Sequence, residues 1–324
     1  MFVLTAQEVK QAARGFGADL AGIGSIDRWV GAPAENHPAA ILPNAKSVIC
    51  IGFRVHRGSY RGIEEGTYYS GYTLLGFSEV NNHVAPFVQR QLASFIEDRG
   101  YETSAYLHNS SWLGLESGRA AKNPDGTDKP RPEVFLNFRI GAMLCGVGEI
   151  GLSRVLLTPE FGPAQRLFLL VTEAPLEPDP VVTGICDRCG ECIRKCPAKA
   201  LKDEPGDCLD IPGVATVRRC AFDFAKCGLV HSGGALSPFA PEEVRAYARN
   251  IIDGTDTHTA DGQPRPGREE IDQNVGQKVP YVQNADHFFR SPAGLCAGES
   301  CMRACLAHLE KRGKLTHKFV HPFR

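Results

Sequence analysis

Four cysteines stand within eleven residues, Cys186-Asp-Arg-Cys189-Gly-Glu-Cys192-Ile-Arg-Lys-Cys196, and Pro197 follows. Two-residue spacers let three successive thiolates converge on one metal group. The longer last spacer sets Cys196 about one helical turn on, facing away from the first three. A chain carrying this run must fold so that more thiols arrive from elsewhere: one to complete the first three, and three to join Cys196. The supply is present, because the chain has 12 cysteines and ten of them lie between Cys186 and Cys305. A disulfide framework is not expected. Met1 to Glu8 holds no basic segment ahead of an apolar one and no twin-arginine pair, so the chain is expected in the cytoplasm, where clustered cysteines bind metal more often than they pair.

The spacing C-x2-C-x2-C-x3-C-P resembles that of bacterial-type ferredoxins and implies 4Fe–4S clusters, the fourth cysteine serving a different cluster from the first three. A structural zinc site uses paired C-x2-C units and gives no reason for the fourth cysteine or its proline. Cys296, Cys301 and Cys305 supply three further thiols, and Cys208, Cys220 and Cys227 offer one more. Crossover ligation then assigns Cys186, Cys189, Cys192 and Cys305 to one cluster and Cys196, Cys220, Cys296 and Cys301 to the other. Cys220 is preferred because residues 218–224 read as a short helix delivering one thiol; Cys208 and Cys227 remain alternatives. Cys50, inside an apolar run, reads as a core residue of a buried strand.

The segment Ala174-Pro175-Leu176-Glu177-Pro178-Asp179-Pro180 reads as a stiff connector. It divides the 324 residues into two units, 1–178 and 179–324. Lys and Arg number 36 against 37 Asp and Glu, which leaves no general electrostatic footprint for nucleic acid or an anionic bilayer. No stretch is long and apolar enough to span a membrane. In the first unit Thr5-x-x-Glu8 is a helix-capping signature. Residues 19–24, 46–53, 101–107 and 166–171 read as strands, and an apolar stripe predicts a helix over 79–98. Residues 254–290 are rich in Gly, Pro and charge and read as a long insertion, a lid or partner surface. The fold class expected is α+β.

Residues 138–205 resemble the epoxyqueuosine reductase family and its cousins, the reductive dehalogenases. The resemblance rests on Cys145-Gly-Val-Gly-Glu-Ile-Gly151, Leu156-Leu-Thr-Pro-Glu-Phe-Gly162, Thr172-Glu-Ala-Pro175-Leu-Glu-Pro178 and the cysteine run, with Leu42–Val48 and Arg219-Cys220 in support. It implies a nitroreductase-like α/β unit followed by a bacterial-ferredoxin-like two-cluster unit. It also implies a bound cobalamin that takes single electrons from the clusters and reduces a substrate, with Gly146, Gly148 and Gly151 lining its pocket. The resemblance is not complete. Arg131-Pro-Glu133 stands where the family keeps an Asp-Ser-Ala-Pro stretch with an acidic proton donor, so Glu133 is the substitute candidate. The last cysteine precedes Leu306 instead of proline, and 19 residues beyond Cys305 leave no room for the family's tRNA-gripping repeats, so a tRNA substrate is not expected.

Reductive chemistry needs a proton donor near the electron source. Tyr68 and Tyr72 in a Gly-rich loop, and Glu133, are the catalytic candidates, and Glu149 inside the glycine motif is a further acidic candidate. His108, at the end of a predicted strand, and Arg139 are candidates for contact with the cofactor or an anionic substrate. The function expected is an iron–sulfur reductase of a small molecule with cobalamin, or alternatively flavin, supplied by a ferredoxin or flavodoxin. The rival reading is an electron-transfer or corrinoid-reactivating protein with no substrate chemistry of its own.

Overall fold

The computed structural model describes residues 4–65, 67–68, 71–107, 134–231, 236, 242–254, 296 and 300–322. Among them are eight strands: β1 (Leu20–Ser25), β2 (Ser47–Arg54), β3 (Thr103–Tyr106), β4 (Glu149–Ile150), β5 (Leu156–Leu157), β6 (Gln165–Thr172), β7 (Leu201–Ile211) and β8 (Ala215–Phe222). The helices are α1 (Ala6–Gly15), α2 (Arg57–Glu64), α3 (Ala85–Glu97), α4 (Phe138–Leu144), α5 (Glu191–Arg194), α6 (Phe224–His231), α7 (Glu242–Asp253) and α8 (Cys301–Lys311). This mixture of helix and sheet agrees with the expected class.

Four strands form an antiparallel sheet in the order β1-β2-β6-β3, with Ile49 opposite Leu170 and Cys50 opposite Leu169. Alternate residues of a strand face opposite sides. Ile49, Ile51, Phe168 and Leu170 accordingly pack under α1 and α3 with Val9, Ala13, Val88, Leu92 and Ile96. Val48, Cys50, Leu169 and Val171 pack on the other face against Met143 and Leu144 of α4 and against Ile211 and Val217 of the β7–β8 hairpin. Both faces are covered, which is why β2 and β6 are near-continuous apolar runs. Gln89 of α3 is fully buried, and its amide donates to the carbonyls of Tyr106 (2.9 Å) and Leu169 (2.8 Å), tying the helix to the sheet.

The capping signature at Thr5 forms in full: the Thr5 hydroxyl accepts from the Glu8 amide, and the Glu8 carboxylate accepts from the Thr5 amide at 2.9 Å. Two other expectations change. The helix expected over 79–98 is α-helical only from Ala85. Pro86, which has no amide hydrogen and a preset φ, stands in its first turn, and Gly71–Val84 before it is π-helical. The short helix expected around Cys220 is the strand β8, because β7 pairs along it from Phe222 to Ala215 with two register shifts near Pro205. Local helix propensity yields there to a non-local partner.

The connector is anchored. The Lys10 ammonium donates to the Asp179 carboxylate at 2.6 Å, and the Ile23 amide donates to its other oxygen at 3.0 Å. No helix among the described residues is long and apolar enough to cross a membrane.

Candidate functional site: two groups of thiols

The cysteine run folds as a loop ending in the single turn of α5. Arg188, between Cys186 and Cys189, has φ +59°, and Gly190, at the start of α5, has φ +76°. The other non-glycine residues with positive φ among those described are Arg154 and Lys199, and both lie close to the cysteines in space or sequence. Such conformations cost energy and persist where the surroundings over-determine them. Here the surroundings are hydrogen bonds. The Glu149 carboxylate on β4 accepts from the amides of Ile185 (2.7 Å) and Cys186 (3.3 Å), and the Leu152 amide reaches the Cys186 sulfur at 3.5 Å.

Two short helices distribute the thiols. Cys192 lies in α5 and Cys196 two residues past its end, whereas Cys301 and Cys305 are four apart along one face of α8. Cys192 and Cys305 join Cys186 and Cys189 around one cleft, bordered by Gly151, Leu157 and Leu309. Cys196 and Cys301 join Cys227 and Cys296 around a second cavity of about 380 Å³. Loss of water around the thiols pushes Cys192 up to about 12, reinforced by the nearby Cys220 and Cys186. Cys301 is likewise pushed up to about 12, first by the same loss of water and then by Cys196 and Cys227. Metal-free, these thiols hold their protons; a bound metal replaces those protons and needs thiolates. Eight sulfurs in two convergent sets are the donor chemistry of two clusters, so the residues fit them.

The rim of the first cleft is charged. Asp187 pairs with His308 (2.9 Å) and Arg312 (3.0 Å), and the His308 hydrogen bond is the main reason its carboxyl lies below the usual range. Asp187, Cys189 and His308 also bring one donor atom each within 4.8 Å of the others, a group that shares Cys189 with the thiol set.

Cys220 lines neither cavity. It is 2 % exposed on β8, packed with Leu201 and Cys192, with Cys196 and Cys301 at the edge of that cluster. Cys208 is exposed on β7; Cys50 and Cys145 are buried under the main sheet. Of the three glycines expected at a cofactor pocket, Gly146 (φ +69°) has the Pro180 carbonyl 2.5 Å from where a Cβ would stand, and Gly148 has the Leu157 carbonyl at 2.2 Å. Gly151 abuts the Leu157 side chain and borders the first cleft. Their smallness serves close protein packing.

Arg139, at the start of α4, lines the second cavity and donates to the Arg154 carbonyl at 3.0 Å. Tyr72 is buried, its ring 5.2 Å from that of Tyr60. Burial raises its phenol, Arg166 opposes the rise, and Cys296 and Cys301 add to it. Tyr68 is 60 % exposed. His108, Glu133 and nearly all of 254–290 lie outside the described residues. Sequence reasoning missed Glu149 as a support of the cysteine loop, because the link runs from one short strand to a loop 36 residues away.

No family model matches the chain. Among curated proteins, the epoxyqueuosine reductase of Bacillus cereus is 32 % identical over 237 residues, covering 69 % of this chain and 49 % of that protein. The tetrachloroethene reductive dehalogenase of Sulfurospirillum multivorans is 41 % identical over 68 residues, covering 20 % of this chain and 14 % of that protein. The matched segments thus span about half or less of these relatives. A solved catabolic reductive dehalogenase superposes with a TM-score of 0.50 at 16 % identity, over 87 % of this chain and 36 % of that one. An epoxyqueuosine reductase solved with an epoxyqueuosine-modified tRNA stem loop aligns over 95 % of this chain with a TM-score of 0.43. Both groups of curated relatives are reductases. By these matches the chain is a relative of the epoxyqueuosine reductase and reductive dehalogenase family.

Proposed function

We propose that the chain is an iron–sulfur reductase holding two 4Fe–4S clusters, with residues 1–178 as a nitroreductase-like unit and 179–324 as a ferredoxin-like one. One observation carries the reading: Cys192 in α5 and Cys196 just beyond it, like Cys305 and Cys301 on α8, send one thiol each to two different cavities. Cys186, Cys189, Cys192 and Cys305 hold the first cluster; Cys196, Cys296 and Cys301 contribute to the second. Bound there, such clusters take up and release one electron at a time.

The chain's own residues do the rest. Leu157, Ile185, Leu309 and Leu315 form an apolar cluster packed against Cys186 and Cys305 of the first group. Glu149 fixes the loop that starts at Cys186. Tyr72, whose phenol keeps its proton well past neutral pH, is the proposed proton donor near the second group. Arg139 presents a guanidinium to the same cavity and would hold an anionic substrate group. Tyr68, His108 and Glu133 are secondary candidates.

Cobalamin enters through the family resemblance. Gly146 and Gly148 stand against protein backbone, not an open pocket. A reduced ferredoxin or flavodoxin is the proposed donor, a small molecule the proposed substrate and the cytoplasm the proposed location; the stem loop bound by the relative is the rival substrate. The test is anaerobic purification from cells supplied with cobalamin, assay of cobalt and flavin per chain, and reoxidation of the dithionite-reduced protein by organic halides, epoxides or the stem loop. Reoxidation by one of these supports a reductase. Reoxidation by protein partners alone identifies an electron carrier.

A further inference from the structure

We propose that the fourth ligand of the second cluster is Cys227 on α6, in place of Cys220, which the family's Arg-Cys pairing would assign. The inference rests on the two-cluster reading above and concerns which of this chain's thiols complete it.

The cavities separate the two residues. Cys196, Cys227, Cys296 and Cys301 all line the 380 Å³ cavity, and Cys220 lines neither it nor the first cleft. The apolar shell of that cavity repeats the division: Ala198, Ala200, Val230 and Ile252 pack with Cys196, Cys227 and Cys296. Cys220 belongs instead to a cluster centred on Cys192 and Leu201. Cys196 and Cys301 touch the edge of that cluster as well, but they reach the cavity and Cys220 does not.

Local structure explains the division. Cys227 and His231 are four residues apart on α6 and share a face. Both line the cavity, and the His231 Nδ1 lies 3.2 Å from the Cys296 sulfur, so this helix face addresses the second group. Cys220 is fixed by its backbone. Its amide donates to the Leu152 carbonyl (3.1 Å), and its carbonyl accepts from Arg154 Nε (3.2 Å). Gly206 across the hairpin is so close that a Cβ there would stand 2.3 Å from the same carbonyl. These contacts fix the Cys220 backbone on the hairpin, where its side chain packs with Cys192 and Leu201. Cys227 already lines the cavity.

The experiment compares Cys227→Ala, Cys227→Ser, Cys220→Ala and Cys220→Ser with the parent, all purified anaerobically as full chains and checked for fold by circular dichroism. Iron and sulfide are counted, and electron paramagnetic resonance is recorded after dithionite reduction. The parent must first show about eight irons; if it does not, the two-cluster reading itself fails. Given eight, Cys227→Ala should lose about half the iron and one of two reduced-cluster signals. Cys227→Ser should shift the g-values of that one signal, and both Cys220 variants should keep full iron and both signals. Loss of a cluster in folded Cys220→Ala or an altered signal in Cys220→Ser, with the Cys227 variants unchanged, would overturn the Cys227 assignment and leave the two-cluster reading standing.

Discussion

Glu149 shows how much one side chain outside the thiol sets decides. Its carboxylate is the partner of two successive amides at the start of the cysteine loop, and removing it leaves both donors to find water. An unpaired buried donor costs about 1–3 kcal/mol. Glu149→Ala should therefore lower iron at the first group while Glu149→Gln, which keeps one acceptor oxygen, retains most of it, as read by iron analysis. Gly148 has no such latitude: any side chain meets the Leu157 carbonyl, so Gly148→Ala should lower the melting temperature and loosen the β4–β5 pair. Burial drives the thiols of Cys50 and Cys145 well above the ordinary range. A thiol with a raised folded-state pKa keeps its proton when the unfolded chain has lost it, so its contribution to stability is full below about pH 8.5 and falls as pH rises beyond. Native protein should leave these two thiols unalkylated at pH 8, and denaturant-unfolded protein should not; mass spectrometry of the alkylated cysteines checks both.

At the scale of elements, what could be read in advance was what neighbours in sequence decide. The Thr5–Glu8 cap, the strand around Cys50 and the loop from Cys186 to Cys196 are all set within a dozen residues. The misreadings share the opposite cause. Arg218 to Phe222 has helix formers, but pairing with β7 makes it a strand. Which middle cysteine faces Cys196, Cys296 and Cys301 stayed open for the same reason, since α6 and α8 line one cavity only in three dimensions. Gln89 is the element-scale test of the main sheet. Gln89→Leu keeps the volume of α3 but strips two sheet carbonyls of a donor, and should cost about 1–3 kcal/mol in urea unfolding without changing iron content.

For the whole molecule, the thiol groups are built into the same body as the sheet. The β7–β8 hairpin returns to pack on Trp29, Leu144 and Val48, and α8 is tied to α2 by Arg57 with Glu310 (3.0 Å) and by Arg303 with Glu64. Cysteines from residue 186 to residue 305 therefore reach their places only once the chain has closed on itself. Eight of the 12 cysteines are proposed to form two cluster sites. The direct measurement is iron and acid-labile sulfide per chain in anaerobically purified protein: about eight of each is predicted, and four or fewer, or zinc in place of iron, would contradict it.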